Sequence, residues 1–295
     1  MEIHQLRYFV AVAHLGSFSR AAEKCFVSQP SLSQQIQKLE RSLGQRLFER
    51  LGRQVLLTEA GRRLLDRATT ILAALDDTEK LIRDSDVQAG GHLEVGAIPT
   101  IAPYLLPPVL ERFLSEYPRV EVTVQEDVTA HLIESVAAAE LDLAVLTLPI
   151  ADDRLQSEPL FSEPLLVALP QRHPLARKRQ ITLEDISDER FIVLREMHCL
   201  GEQILSFCRA NDCQPRVVCR SAQIATIQAL INAGQGISIL PDMARRIDRD
   251  GQRVYRELAG NGLFRTIGVI WHRHRYHSPA AEKFLAGLRR FAAEL

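Results

Sequence analysis

Apolar side chains near the start of the chain recur at helical intervals. Leu6, Phe9, Val10 and Ala13 line one face of a first helix, and Ala21, Ala22 and Cys25 continue on a second that Ser17 or Ser19 can cap. Phe26, Val27 and Ser28 make a short break. Ser28 then caps a third helix, with Pro30 in its first turn and Leu32, Ile36 and Leu39 on its apolar face. Two short helices joined by a tight turn form a helix-turn-helix. With Ser28 at its head, the third helix turns Gln29, Ser31, Ser33, Gln34, Gln37 and Lys38 outward, polar groups able to meet base edges and phosphates in a major groove. Arg50, Arg53 and Gln54 follow where a β-hairpin wing would touch a nucleic-acid backbone, closing in Leu56, Leu57 and Thr58. The amphipathic pattern by itself fits a plain three-helix subdomain equally well.

Residues 60–88 contain few helix breakers and repeat apolar positions at Leu64, Leu65, Ala68, Ile71, Leu72, Leu75 and Leu81, which predicts one long helix whose apolar seam needs a partner. Gly90 and Gly91 end it and supply a hinge. Beyond them, strand-like 93–98 and 120–125 alternate with helix-like 104–117 and 131–140, and 143–148 follows as another strand. That βαβ order predicts a mostly parallel sheet. A second set runs through strands at 165–169, 191–194 and 216–218, a helix at 222–233 and a strand at 237–240. The chain then returns through 266–271 and closes with a helix from Pro279 to Leu295. Two α/β halves joined by crossings near 162–165 and 265–268 leave a cleft between them, the usual place for a ligand.

Composition narrows the class. A chain of 295 residues with 46% hydrophobic and 25% charged content is an ordinary globular protein with room for two or three cores. No apolar run approaches the roughly 18 residues of a membrane span, and the first residues lack the pattern of a secretory signal, so a cytoplasmic protein without a membrane partner is expected. The net charge of −1 names no partner, but its distribution does. Residues 1–67 carry 11 Lys plus Arg against 6 Asp plus Glu, whereas 68–88 carry 2 against 5, so the basic excess falls on the helix-turn-helix. No Gly-rich phosphate loop or nucleophile elbow occurs, and no cofactor is expected.

Five cysteines without even spacing suit reduced thiols. Two of them lie in one short segment, from His198-Cys199-Leu200 to Phe207-Cys208. If Leu200 to Arg209 is helical, as the spacing of Leu200, Ile204, Phe207 and Cys208 indicates, Cys199 and Cys208 stand roughly 13 Å apart along the axis. A disulfide tolerates Cα atoms no more than about 7 Å apart. Bonding them would force the segment to unwind, which converts oxidation into a change of shape. Cys199 would sit at the helix start, where the dipole favours a thiolate, beside His198 and near Arg195. Cys208 falls on the apolar stripe. The same spacing also fits two ordinary buried cysteines. His198, Cys199, Cys208, Cys213 and Cys219 match no common zinc spacing, and His272, Arg273, His274, Arg275 and His277 read as a solvated turn, so no metal is expected.

The runs Leu6-Arg7-Tyr8-Phe9, Ser17-Phe18-Ser19-Arg20-Ala21-Ala22, Val27-Ser28-Gln29-Pro30-Ser31-Leu32-Ser33-Gln34-Gln35-Ile36, Leu47-Phe48-Glu49-Arg50 and Leu57-Thr58-Glu59-Ala60-Gly61 change the odds between these readings. They resemble the N-terminal domain of LysR-type transcriptional regulators. The resemblance extends over the whole chain. It implies an all-α winged helix-turn-helix over 1–60, a dimerising linker helix over 61–89, and a regulatory α/β domain over 92–295. That domain would have two Rossmann-like, periplasmic-binding-protein-like subdomains, one about 92–162 with 267–295 and the other about 163–266. Double-stranded DNA, a second or fourth copy of the chain and RNA polymerase are the implied partners.

Within the family the chain is similar to the OxyR-type hydrogen peroxide sensors at Ile98-Pro99-Thr100, Pro103-Tyr104-Leu105-Leu106-Pro107, Pro159-Leu160-Phe161, Glu163-Pro164, His198-Cys199-Leu200 with Gln203, Phe207-Cys208 and Arg265-Thr266-Ile267-Gly268. That resemblance implies a peroxide-reacting thiol at Cys199, a resolving thiol at Cys208, and a polar peroxide pocket of Thr100, Thr129, His198 and Arg265, with a thiol reductant to reset the pair. The chain departs from the pattern at Gly201-Glu202, where the family has an Arg-Asp pair, and at Arg209, where an aromatic residue is typical. Cys213 and Cys219 are further resolving candidates. The alternatives are a regulator that binds a small organic effector between its halves, with incidental cysteines, and a thiol peroxidase, which the DNA-binding pattern disfavours.

Overall fold

The computed structural model describes residues 1–51, 54–83, 90–195, 199–248, 251–260 and 262–295. It divides into two compact units, Met1–Arg83 and Asp84–Leu295.

The first unit holds α1 (Ile3–Leu15), α2 (Phe18–Lys24) and α3 (Gln29–Leu43), a hairpin of β1 (Phe48–Leu51) and β2 (Gln54–Leu57), and the long α4 (Glu59–Arg83). Ser17 and Ser28 cap α2 and α3 by accepting from the backbone N–H of Arg20 and Ser31. Phe9, Val12, Leu32, Ile36 and Leu39 are buried in one core, where the Phe48 ring lies 5.3 Å from Phe9 and 5.6 Å from Phe18. Glu40 reaches from α3 to accept from the backbone N–H groups of Leu47 and Phe48, which pins the hairpin to that helix. Gly61 meets the same entrance from α4. A Cβ there would lie 2.2 Å from the Leu47 carbonyl oxygen, so only glycine lets the helix come this close.

In the second unit β3 (Gly91–Ala97), α5 (Ala102–Glu116), β4 (Val120–Glu126), α6 (Thr129–Ala137) and β5 (Leu143–Leu148) build the first half. β3 runs parallel to both β4 and β5. The C-terminal α11 (Pro279–Ala293) seals this core, its Phe284 edge-on to Phe113 of α5 at 5.3 Å. The second half contains β7 (Gln180–Ile181), α7 (Leu183–Ser187), β8 (Arg190–Leu194), α8 (Cys199–Ala210), β9 (Arg216–Ser221), α9 (Ile224–Asn232), β10 (Ser238–Pro241), α10 (Asp242–Arg246) and β11 (Arg253–Leu258). Its buried residues, Leu165 to Leu263, pack as a separate core.

Two strands join the halves: β6 (Leu155–Pro170) carries the chain out and β12 (Phe264–His272) carries it back. The expectation of a mostly parallel sheet needs correction here. β12 is antiparallel to β5 and to β6, and β6 is antiparallel to β10 and β11. An outgoing and a returning strand that lie side by side must run in opposite directions, and among the described residues parallel pairing joins β3 with β4 and β5, β8 with β9, and β7 with β11, with one isolated parallel bridge between Phe191 and Ile237. The first part of β6 pairs with β12 and the second with β10 and β11, so one strand belongs to both halves. Among the described residues no helix is long and apolar enough to cross a membrane.

Candidate functional site

The junction of the halves is held by buried charge. Arg265 of β12 and Glu163 of β6 are direct cross-strand partners, each 2% exposed. The Arg265 guanidinium donates through Nε to Glu163 Oε1 at 2.8 Å, through Nη1 to Thr100 Oγ1 at 2.9 Å and through Nη2 to the Thr100 carbonyl at 3.0 Å. The other carboxylate oxygen of Glu163 accepts from the Met243 N–H at the start of α10, at 2.8 Å. Burial lowers the pKa of Arg265, and the facing carboxylate opposes that shift. Tyr104 of α5 packs against both cores, and burial, with Tyr255 nearby, pushes its phenol up to about 12. Thr100 and Arg265, both predicted site residues, therefore come together. Glu163, which completes the set, was visible in the sequence only as part of a Glu-Pro pair, because its partner lies 102 residues away. Thr129 begins α6, half-buried, just beyond the carboxyl end of β4, which neighbours β3 in register. Thr100 and Thr129 thus both follow carboxyl ends of adjacent parallel strands, the usual side for a ligand in such sheets.

The second candidate element is α8, which starts at Cys199 and buries Leu200, Ile204 and Cys208. His198 and the Cys199 side chain lie outside the described residues. A helix containing both cysteines separates them by roughly 13 Å, well beyond disulfide reach. The head of α8 docks tightly: a Cβ on Gly201 would lie 2.5 Å from the Leu194 carbonyl oxygen at the end of β8. Gln203 donates to the Phe264 carbonyl at 2.8 Å, tying α8 to the start of β12. On its outer face Arg209 donates to Glu202 at 2.6 Å and to Ser206 at 3.0 Å, so two residues that depart from the family pattern bind each other. Cys208 is fully buried, and burial, with Cys213 beside it, pushes its thiol up to about 12. Cys213 is buried too and its pKa is raised for the same reason, whereas Cys219 on β9 and Cys25 at the end of α2 are half-buried. A thiol at the head of α8 has the helix dipole favouring its anion, and one at the tail has burial opposing it.

In the first unit Ser28, Gln29, Ser31, Gln34, Gln37 and Lys38 are exposed along α3, and Ser33 is half-buried. Gln35 instead faces inward, accepting from Gln5 of α1 at 3.1 Å. Arg50 belongs to β1, but its side chain, like all of Arg53, lies outside the described residues. Sequence reasoning passed over Phe26. It occupies the turn before α3 at φ 55° and is 95% exposed, an apolar group beside the polar face. In the sequence only the presence of an aromatic residue in the Phe26-Val27-Ser28 break signalled this.

Residues 3–62 match the family model described as the bacterial regulatory helix-turn-helix protein of the lysR family, and residues 87–293 match the LysR substrate binding domain. The DNA-binding transcriptional dual regulator OxyR of Escherichia coli is 35% identical over 273 residues, covering 92% of this chain and 89% of that protein. Full-length OxyR from Pseudomonas aeruginosa, with a cysteine-to-aspartate substitution, superimposes with a TM-score of 0.76 at 31% identity, covering 99% of this chain and 94% of that one. A hydrogen-peroxide-bound OxyR mutant from Corynebacterium glutamicum gives 0.64 at 31% identity, covering 99% and 92%. With a helix-turn-helix domain followed by a two-halved LysR substrate binding domain, this chain belongs to the LysR family of DNA-binding transcriptional regulators.

Proposed function

We infer that this regulator responds to hydrogen peroxide through Cys199, and that a Cys199–Cys208 disulfide refolds the regulatory unit. The Cys199 thiolate attacks one peroxide oxygen, giving a sulfenic acid while the other oxygen leaves as water after protonation. Cys208 then condenses with the sulfenic acid and releases a second water. The observation that carries this reading is the placement of the two cysteines at opposite ends of α8, the second fully buried, in a chain 35% identical to OxyR over 92% of its length. Their union requires α8 to unwind, so the oxidised chain cannot keep the fold described above.

In this reading Thr129 and His198 serve with Thr100 as the polar groups that receive peroxide. Arg265 acts through Thr100, because each of its three nitrogens already donates within the protein. A small organic effector at the same junction finds Thr100, Arg265 and Glu163 satisfying one another. DNA is read by Gln29, Ser31, Ser33, Gln34, Gln37 and Lys38, with Ser28, Arg50 and Arg53 on the phosphates. Residues 1–60 read DNA, 61–89 link and pair protomers, and 92–295 sense. Ile71 of α4, 43% exposed, and Ile82, 76% exposed, belong to a seam that a second copy covers in a homodimer or homotetramer. RNA polymerase and a thiol reductant complete the partners, and the chain works in the cytoplasm.

Peroxide treatment followed by non-reducing peptide mapping and DNA-binding measurements tests the reading. A 199–208 linkage with an altered footprint is expected, and both are expected to disappear in Cys199→Ser. An unlinked chain whose DNA binding ignores peroxide would falsify it.

A further inference from the structure

We propose that Cys213 is a second partner for Cys208, and that the two form a disulfide that follows the 199–208 bond and returns Cys199 to the thiol. The proposal rests on the peroxide reading above and extends it to a residue outside the predicted pair.

The geometry begins with how α8 ends. The Cys213 N–H donates to the Cys208 carbonyl at 2.9 Å and the Asp212 N–H to the Arg209 carbonyl at 3.3 Å, with Asp212 in the left-handed region at φ 55°. This pair of nested bonds around a left-handed residue is a Schellman cap. Such caps bring the side chain after the left-handed residue onto the one in the last helical turn. Here those two side chains are Cys213 and Cys208. The Cys213 thiol donates to the Leu183 carbonyl of α7 at 3.5 Å. Both thiols are free, at 0% and 2% exposure, within one core. The cap thus places a second buried thiol one turn from the resolving one; the two sulfurs are not at disulfide distance in this fold, so the bond requires movement within the cap but not the unwinding of α8.

The two possible bonds differ in what they cost the fold. Linking Cys199 to Cys208 removes α8, with the burial of Leu200 and Ile204 and the docking of Gln203 on Phe264. Linking Cys208 to Cys213 closes across a cap that the reduced fold already contains, so α8 can re-form around it. Burial therefore drives exchange from the first bond to the second. The steps balance. The Cys213 thiolate attacks the Cys208 sulfur of the 199–208 disulfide, the S–S bond to Cys199 breaks, and Cys199 leaves as a thiolate that takes up the proton Cys213 lost. Attack at Cys208 is the productive direction, because attack at Cys199 would join Cys199 to Cys213 and leave α8 unable to re-form between them. Hydrogen peroxide remains the only oxidant consumed, one molecule per disulfide. The product has a helical α8 and a reduced Cys199 but no free resolving thiol, a state that cannot fire again until a thiol reductant opens it.

A time course on the full chain tests this. After a peroxide pulse, quenched by acid and alkylation, non-reducing peptide maps are expected to show the 199–208 linkage first and the 208–213 linkage rising as it falls. Cys199→Ser should form neither, because both buried thiols are held protonated. Cys213→Ala and Cys213→Ser should both prolong the 199–208 form several-fold, and agreement between the two separates loss of the thiol from a packing defect. A wild-type 199–208 linkage that persists with no 208–213 peptide overturns the proposal and leaves the peroxide reading intact. Absence of both linkages overturns both. A 208–213 linkage in Cys199→Ser overturns the exchange step.

Discussion

Two buried sites in the regulatory unit are built in opposite ways. At Arg265 a guanidinium, a carboxylate, a hydroxyl and two backbone groups from four separate elements close on one another in directed hydrogen bonds. At the tail of α8, Cys208 and Cys213 are held by apolar burial and one helix cap. A charged cluster of the first kind has no second arrangement of comparable energy, because any displacement strands a charge away from water. The second kind loses only surface burial and a cap when it opens. Of the two sites, the tail of α8 is therefore the cheaper to open and the Arg265 cluster the costlier.

The largest expected effect comes from breaking the frame. Arg265→Ala leaves Glu163 buried without its cation and is expected to cost about 3–5 kcal/mol in denaturant unfolding. A loss under about 1 kcal/mol would mean that the two sites are not mechanically different. Next is the head of α8. Gly201→Ala places a methyl group 2.5 Å from the Leu194 carbonyl and should cost about 1–3 kcal/mol, read as faster amide exchange confined to residues 199–210. Unchanged exchange would show that β8 does not fix where the helix begins.

The third effect appears only in alkali. Burial holds the folded Cys208 pKa at about 12, above its unfolded value near 8.5, so the folded chain keeps a proton that the unfolded chain loses between those limits. Its contribution to stability is full below about pH 8.5 and falls as pH rises towards 12, by about 2 kcal/mol by pH 10. Cys208→Ala should flatten that part of the stability curve. If wild type and variant decline in parallel, the tail of α8 is not sealed as described. Smallest is Arg209→Ala. It removes an exposed network with Glu202 and Ser206 and should change stability by less than about 1 kcal/mol. A larger loss would place polar structure at α8 comparable to that at Arg265.

The helix-turn-helix was legible because its signals are local. Ser28, Leu32, Ile36 and Leu39 lie within a few turns of one another, and cap and apolar stripe can be read from spacing alone. The short β7, α7, α10 and β11 were not, since two to six residues are too few for a periodicity. The antiparallel course of β12 escaped for another reason. Its neighbours β5 and β6 are chosen by long-range pairing, and a strand pattern is the same in either direction. Cys213 was visible as an extra thiol, but its contact with Cys208 depends on the left-handed turn at Asp212.

The sequence by itself determined the recognition helix, the two-halved α/β plan, and the placement of Cys199 and Cys208 at opposite ends of one helical stripe, because each follows from short-range periodicity and residue chemistry. Only the tertiary structure decided that Arg265 closes on Glu163 and Thr100, that Gly201 must be glycine, and that Cys208 shares its burial with Cys213. Those are contacts between segments whose separation along the chain, or whose turn, no local pattern specifies. Their energies come from desolvation and close approach, which exist only once the elements are packed.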